Sequence, residues 1–183
     1  MQIAIQDNLL VHQMDVKTAY LNADIDCELY VEQPQGYIKS GKNCESLVCK
    51  LNKSLYGLKQ SGRMWNNVLN SFLISENFVQ SLADTCVYTK FKDDCKIIVI
   101  IWVDDLIVAA SNIDILNGIK RSLCSKFKMK DLSQLAWFLG IEFKFVDKYF
   151  SLNQCKYAKK ILTKFKMDKC NPKSILVILV FIN

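Results

Sequence analysis

The most confining feature of the chain is a nearly unbroken apolar stretch, Ile97-Ile98-Val99-Ile100-Ile101-Trp102-Val103. Two carboxylates, Asp104 and Asp105, end it abruptly, and the apolar run resumes through residues 106–110. So many β-branched residues specify a strand, and the lack of alternation predicts one buried on both faces. The simplest path is a hairpin with the acids at its tip. Burying two acids there costs several kcal/mol per ion unless something compensates. Two readings are open. Asp-Asp is a polar turn, as Asp93-Asp94 reads, or it helps to hold a divalent cation. Adjacent strand residues point to opposite faces, so a regular strand offers one acid to any site; a turn relaxes that rule. A third acid must then come from elsewhere, and Asp15, isolated in the apolar segment 9–21, is the natural candidate. Three carboxylates on neighbouring strands suit two Mg²⁺ ions, or Mn²⁺, which take oxygen ligands.

The rest of the chain alternates helices with a few strands. Glu28-Leu29-Tyr30-Val31 reads as a strand stopped by Pro34 and Gly36, and Ser40-Gly41-Lys42-Asn43 as an exposed loop. A helix is expected over 62–77, with Trp65, Val68, Leu69, Phe72 and Leu73 on its buried face. Strands follow over 85–91 and 96–103, with Asp93-Asp94 turning between them. Asn112 is placed to cap a helix whose inner face carries Leu116, Ile119, Leu123 and Phe127. Residues 139–146 alternate like a strand, and a helix after Asn153 is expected to turn Tyr157, Ile161, Leu162 and Phe165 inward. This pattern is α+β.

Composition narrows the function classes. At 183 residues the chain suits one domain, or one domain plus an appendage, and 51% hydrophobic against 23% charged residues excludes disorder as the main state. A net charge of +6 is compatible with a polyanionic partner. The 8 cysteines stand singly, no Cys-x-x-Cys occurs and His12 is the sole histidine, so they read as reduced core thiols without a zinc site. No leader precedes the chain's apolar segments, and the longest apolar run is about half a membrane span. The chain therefore reads as intracellular, with no membrane partner. Lys126, Lys128 and Lys130 alternate with Phe127 and Met129, and Lys156, Lys159, Lys160, Lys164 and Lys166 form a basic stripe on the last helix. Either set suits phosphates or a solvated surface.

Five motifs occur in order: Met14-Asp15-Val16-Lys17-Thr18-Ala19-Tyr20-Leu21-Asn22, Val31-Glu32-Gln33-Pro34-Gln35-Gly36-Tyr37, Ser54-Leu55-Tyr56-Gly57-Leu58-Lys59-Gln60, Trp102-Val103-Asp104-Asp105 and Phe138-Leu139-Gly140-Ile141-Glu142. Together they resemble the reverse transcriptase domain of copia-type LTR retrotransposon Pol polyproteins, over roughly residues 8–172. The resemblance implies a polymerase palm, an antiparallel sheet with helices packed on one face, plus partial fingers and the start of a thumb through residue 172. Residues 173–183 then form a divergent apolar tail. It also implies RNA-directed DNA polymerase activity, with two Mg²⁺ ions assisting nucleotidyl transfer to a primer 3′-hydroxyl. An inactive nucleic-acid-binding remnant of a decayed element is the alternative.

By that resemblance Asp15, Asp104 and Asp105 are the catalytic metal ligands. Tyr20 crowds the sugar 2′ position, Gln60 and Arg63 lie against template and incoming nucleotide, and Phe138, Leu139 and Gly140 grip the primer. The implied partners are an RNA or DNA template with its primer and a dNTP, in the cytoplasm, nucleus or a virus-like particle. Three departures stand out. Trp102, counted with the residues that meet nucleotide and template, occupies the place of the family's tyrosine, beside the acids and near the primer terminus. Residues 1–14 carry no Lys or Arg, so the basic fingers contacts expected upstream are missing. The apolar residues 175–182 do not resemble the polar continuation, and the chain reads as a polyprotein fragment.

Overall fold

In chain order the first elements are helix α1 (Gln2–Gln6), strands β1 (Leu10–Val16), β2 (Tyr30–Glu32) and β3 (Val48–Lys50), helix α2 (Ser61–Ser75) and strands β4 (Val79–Gln80), β5 (Val87–Lys92), β6 (Cys95–Trp102) and β7 (Asp105–Ala110). Helix α3 (Ile113–Lys126) and β8 (Met129–Gln134) follow, then β9 (Trp137–Phe138), β10 (Ile141–Val146), β11 (Tyr149–Asn153) and α4 (Cys155–Lys164). This computed structural model describes residues 2–39, 47–92, 95–146 and 149–171. The loop expected at Ser40-Gly41-Lys42-Asn43, the Asp93-Asp94 turn and the tail 173–183 lie outside them. The chain divides into two units, Met1–Leu135 and Ala136–Asn183.

The first unit is built on a six-stranded sheet of order β4-β5-β6-β7-β1-β8, antiparallel at every pairing. Its core lies between one sheet face and helices α2 and α3. Trp65, Leu69 and Leu73 recur at four-residue spacing and bury one stripe of α2. Leu116, Ile119 and Leu123, spaced three and four apart, bury a stripe of α3, and Asn112 caps that helix as expected, its side chain accepting from the Asp114 N–H at 2.7 Å. Opposite them the sheet contributes Met14, Val16, Ile97, Val99, Ile101, Leu106, Val108 and Ala110. The mixed α+β architecture thus follows the expectation, with a large antiparallel sheet carrying its helices on one side.

Four expectations need correction. The cysteines are not core residues: among the described residues Cys27, Cys124, Cys155 and Cys170 are exposed and Cys49, Cys86 and Cys95 half-buried, all as free thiols. β6 is not buried on both faces: Ile97, Val99 and Ile101 are buried, whereas Ile98 and Ile100 are half-buried. An antiparallel sheet with helices on one side leaves the other side partly open, whatever its composition. Leu139 is not in a strand. With φ of 49° at Leu139 and 80° at Gly140, the two form the turn between the paired residues Phe138 and Ile141. Both central residues are left-handed, the geometry of a two-residue hairpin that matches strand twist. Finally, Tyr157, Leu162 and Phe165 of the last helical segment are exposed and Ile161 is half-buried. Periodicity tells which side chains share a helix face, not whether another element covers it. Among the described residues no helix is long and apolar enough to cross a membrane.

The helix face of the sheet also carries a buried cation. Lys120 of α3, 6% exposed, places Nζ 2.6 Å from His12 Nδ1 on β1 and 2.9 Å from both carboxylate oxygens of Asp131 on β8. An ammonium only donates, so His12 must accept through Nδ1 and carry its proton on Nε2. Burial, then Lys120, push the His12 pKa below 6.5, against a smaller opposing pull from Asp131. Burial alone would raise the Asp131 carboxyl, but hydrogen bonds from Lys120 and the Ser133 N–H hold it below 3.8. Both groups therefore bind fewer protons folded than unfolded. Their stability is fully present above pH 6.5 for His12 and above 3.8 for Asp131, and is lost as pH falls. Lys120→Met is expected to cost about 1–2 kcal/mol at pH 8, less than a fully buried pair because Asp131 can rehydrate. It should also flatten, without abolishing, the fall in stability from pH 7 to 5, since burial of His12 persists. Urea melts at the two pH values check both; an unchanged pH slope would sink the coupling.

Candidate active site

The sheet register decides which residues can act together. Directly paired residues project to the same face of a sheet. Trp102 pairs with Asp105, Asp105 with Asp15, and Asp15 with Lys130. These four residues form one row across β6, β7, β1 and β8, on the face away from α2 and α3. Two residues further along β1, Gln13 lies on the same face and pairs with Ile107. Its Nε2 donates to Asp105 Oδ1 at 2.9 Å, and Gln13 is itself buried.

Asp104 stands one step outside this row. With Val103 it forms the two-residue turn between Trp102 and Asp105, and Val103 is left-handed at φ 53°. That conformation is strained for a β-branched residue and needs support. Two bonds supply it. Trp65 Nε1 donates to the Val103 carbonyl at 2.8 Å, and the Val16 N–H donates to the Asp104 carbonyl at 2.7 Å. The turn is thereby tied to α2 on one side and to the end of β1 on the other.

The Asp104 carboxylate is asymmetric. Oδ2 accepts from the Tyr56 hydroxyl at 2.9 Å, whereas Oδ1 is buried without a hydrogen-bond partner. Burial, then the bond to Asp104, raise the Tyr56 pKa, so its hydroxyl keeps the proton it donates. Tyr20, in the short 3-10 helix Ala19–Asn22, packs its ring 4.5 Å from that of Tyr56. A cavity of about 230 Å³, bounded in part by Tyr20, Trp65, Cys86 and Trp102, adjoins the turn.

At the start of α2 the other expected residues are engaged locally. Gln60 Nε2 lies 3.4 Å from Cys27 Sγ, and Arg63 pairs with Asp26 at 2.7 Å. The Arg63 hydrogen bond holds the Asp26 carboxyl below its usual range. For Arg63 to meet a phosphate it must exchange Asp26 for it. Phe138 ends β9, with Leu139 and Gly140 in the turn that follows, all in the second unit.

Asp15, Asp104 and Asp105 thus occupy one end of three adjoining strands and their turn. The side chains do not close into one cluster: among the described residues no group of three or more His, Cys, Asp or Glu is placed to hold a metal ion. The donor chemistry nonetheless fits a hard divalent cation. All three groups are carboxylates, and a buried carboxylate oxygen without a donor is costly unless something binds it. Sequence reasoning missed Gln13, Tyr56 and the role of Trp65. Gln13 carried a signal, because position 13 shares its strand face with position 15. Tyr56 and Trp65 meet the turn across 48 and 38 residues, which no local pattern reports.

The family described as reverse transcriptase (RNA-dependent DNA polymerase) matches over residues 1–179. Among curated relatives, the retrovirus-related Pol polyprotein from transposon TNT 1-94 of Nicotiana tabacum is 37% identical over 177 residues, 95% of this chain and 13% of that protein. The corresponding polyprotein from transposon RE1 of Arabidopsis thaliana is 32% identical over 170 residues, 93% of this chain and 12% of that protein. The Ty1-MR1 Gag-Pol polyprotein of Saccharomyces cerevisiae is 33% identical over 131 residues, 71% of this chain and 7% of that protein. The chain therefore spans only a small part of the length of these three relatives.

Proposed function

This chain belongs to the reverse transcriptase (RNA-dependent DNA polymerase) family, and on that premise we propose that it is the palm portion of a copia-type polymerase, acting on a primed template and a dNTP. Residues 1–172 read as palm with partial fingers and the start of a thumb, and 173–183 as a divergent tail. The observation that carries the reading is the pairing of Asp15 with Asp105 beside the Asp104 turn. No structural polar turn requires an acid from a second strand directly opposite its own.

In this reading Asp15, Asp104 and Asp105 hold two Mg²⁺ ions, or Mn²⁺. When bound, such ions supply Lewis acidity toward the phosphoryl oxygens of the nucleotide. The chain's own residues do the rest. Gln13 fixes the Asp105 carboxylate through Oδ1, leaving the second oxygen clear of that bond. Lys130, exposed and opposite Asp15, is the member of the 126/128/130 set best placed to neutralise the departing pyrophosphate. Tyr20, held against Tyr56, presents an aromatic edge to the sugar. Trp102 offers a larger ring than tyrosine beside the primer end, Gln60 and Arg63 face template and nucleotide, and the Phe138-Leu139-Gly140 turn meets the primer strand.

A remnant that binds nucleic acid without catalysis is the second reading, favoured by the open arrangement of the carboxylates and by Trp102. Mg²⁺-dependent extension of a labelled primer separates the two. Incorporation that stops on adding a chelator supports the polymerase, and binding without incorporation the remnant. In either case phosphate contacts should dominate affinity. Binding of primer–template is expected to weaken at least about tenfold between 50 and 200 mM salt. A flat response measured by fluorescence anisotropy would reduce the lysines to a solvated surface.

A further inference from the structure

Asp104 is the one acid of the three whose side chain hangs from a turn, and its backbone there is fixed as well. Its carbonyl is held by the Val16 N–H and the preceding carbonyl by Trp65, so rotation of the carboxylate about its own side chain is the freedom that remains. The Tyr56 hydroxyl removes that freedom by donating to Oδ2 at 2.9 Å. A carboxylate offers two oxygens, and committing one to a neutral donor selects the other for a cation. That other oxygen, Oδ1, is buried and has no partner. From this asymmetry we infer that Tyr56 is a positioning residue, which orients Asp104 so that Oδ1 is the oxygen presented to a divalent cation. The inference rests on the polymerase reading of the site.

The surroundings of Tyr56 agree with a directional role. Its ring is half exposed, so it contributes little to the core, yet it packs against Tyr20 with centroids 4.5 Å apart and planes tilted by 44°, which limits where the hydroxyl points. The Ser54-Leu55-Tyr56-Gly57-Leu58 segment is itself anchored close by. The Ser54 N–H donates to the Ala23 carbonyl at 2.9 Å, and the Ser61 hydroxyl donates to the Leu55 carbonyl. Gly57, at φ 94°, turns the chain immediately after Tyr56, a conformation that strains residues with a Cβ. A tyrosine brought to Asp104 by so constrained a loop is built to hold one geometry.

The test is Mn²⁺ binding by electron paramagnetic resonance on the whole chain, with thermal melting of the same samples. Tyr56→Phe keeps the ring and its contact with Tyr20 but removes the donor. It is expected to weaken Mn²⁺ about tenfold, as loss of a partner to a ligand does, with the melting temperature unchanged. Equal Mn²⁺ affinity in Tyr56→Phe and the unsubstituted chain would overturn the inference while leaving the polymerase reading intact. An unsubstituted chain that takes up no Mn²⁺ would overturn both. A Tyr56→Phe chain that melts early and loses Mn²⁺ in proportion would assign Tyr56 to folding instead, and so overturn the inference.

Discussion

Asp15→Asn is expected to abolish divalent-ion binding while leaving the folded chain slightly more stable. Asp15 and Asp105 are direct cross-strand partners on the open face of the sheet, and like charges directly opposite destabilise a sheet. Gln13 relieves only part of this, because it reaches Asp105 and not Asp15. Removing one charge should therefore raise metal-free stability by about 0.2–1 kcal/mol in urea melts. Metal binding should move the other way. Losing one of three carboxylates removes both a ligand and a charge, worth about 3–4 kcal/mol of the stabilisation such ions give, or roughly a hundred- to a thousandfold in extension rate. Opposite signs in the two measurements are the signature of a functional acid. If Asp15→Asn unfolds the chain more easily while Mn²⁺ affinity holds, the acids serve the hairpin and the catalytic reading fails.

Much of this candidate site is legible in the sequence. The break from apolar strand to Asp104-Asp105 does make a hairpin tip, and the isolated Asp15 does lie in a neighbouring strand. Helix α2 and helix α3 follow their periodicity closely, because each has a single apolar stripe and a sheet to receive it. What composition concealed is the distinction between the two faces of β6. Ile98 and Ile100 are chemically the same as Ile97 and Ile101, and only the sheet's one-sided helix layer tells them apart. The exposed Tyr157, Leu162 and Phe165 fail for the same reason: an apolar stripe states a preference, and coverage depends on what folds beside it. The polar contacts were hidden for a different reason. Lys120 to His12, Gln13 to Asp105 and Tyr56 to Asp104 join residues 108, 92 and 48 positions apart. Such pairs are fixed by how strands, helices and loops come together in the fold, which is not written in any local window.

Trp65→Ala is expected to be the most destabilising single change in the first unit. Trp65 is 2% exposed, stands edge-on to Phe127 at 5.2 Å, and through Phe127 meets Phe72 at 5.3 Å. Truncating a core tryptophan costs about 3–5 kcal/mol, a large share of the 5–15 kcal/mol a domain typically has. Its indole has a second task, since Nε1 holds the carbonyl of the left-handed Val103. Trp65→Phe separates the two, keeping most of the ring while removing the donor. Val103→Gly supplies the matching change, because glycine accepts φ 53° without the roughly 1–3 kcal/mol of strain a β-branched residue carries there. If the indole holds a strained turn in place, Trp65→Phe should cost less in the Val103→Gly background, by at least about 0.5 kcal/mol. Mn²⁺ affinity should fall with Trp65→Phe as well, since a loosened turn no longer carries Asp104 to a fixed place. Strict additivity in a double-mutant cycle, with metal affinity unmoved, would reduce Trp65 to a filler of space. Coupling would make it the strut by which the helix layer sets the position of an acid at the hairpin tip.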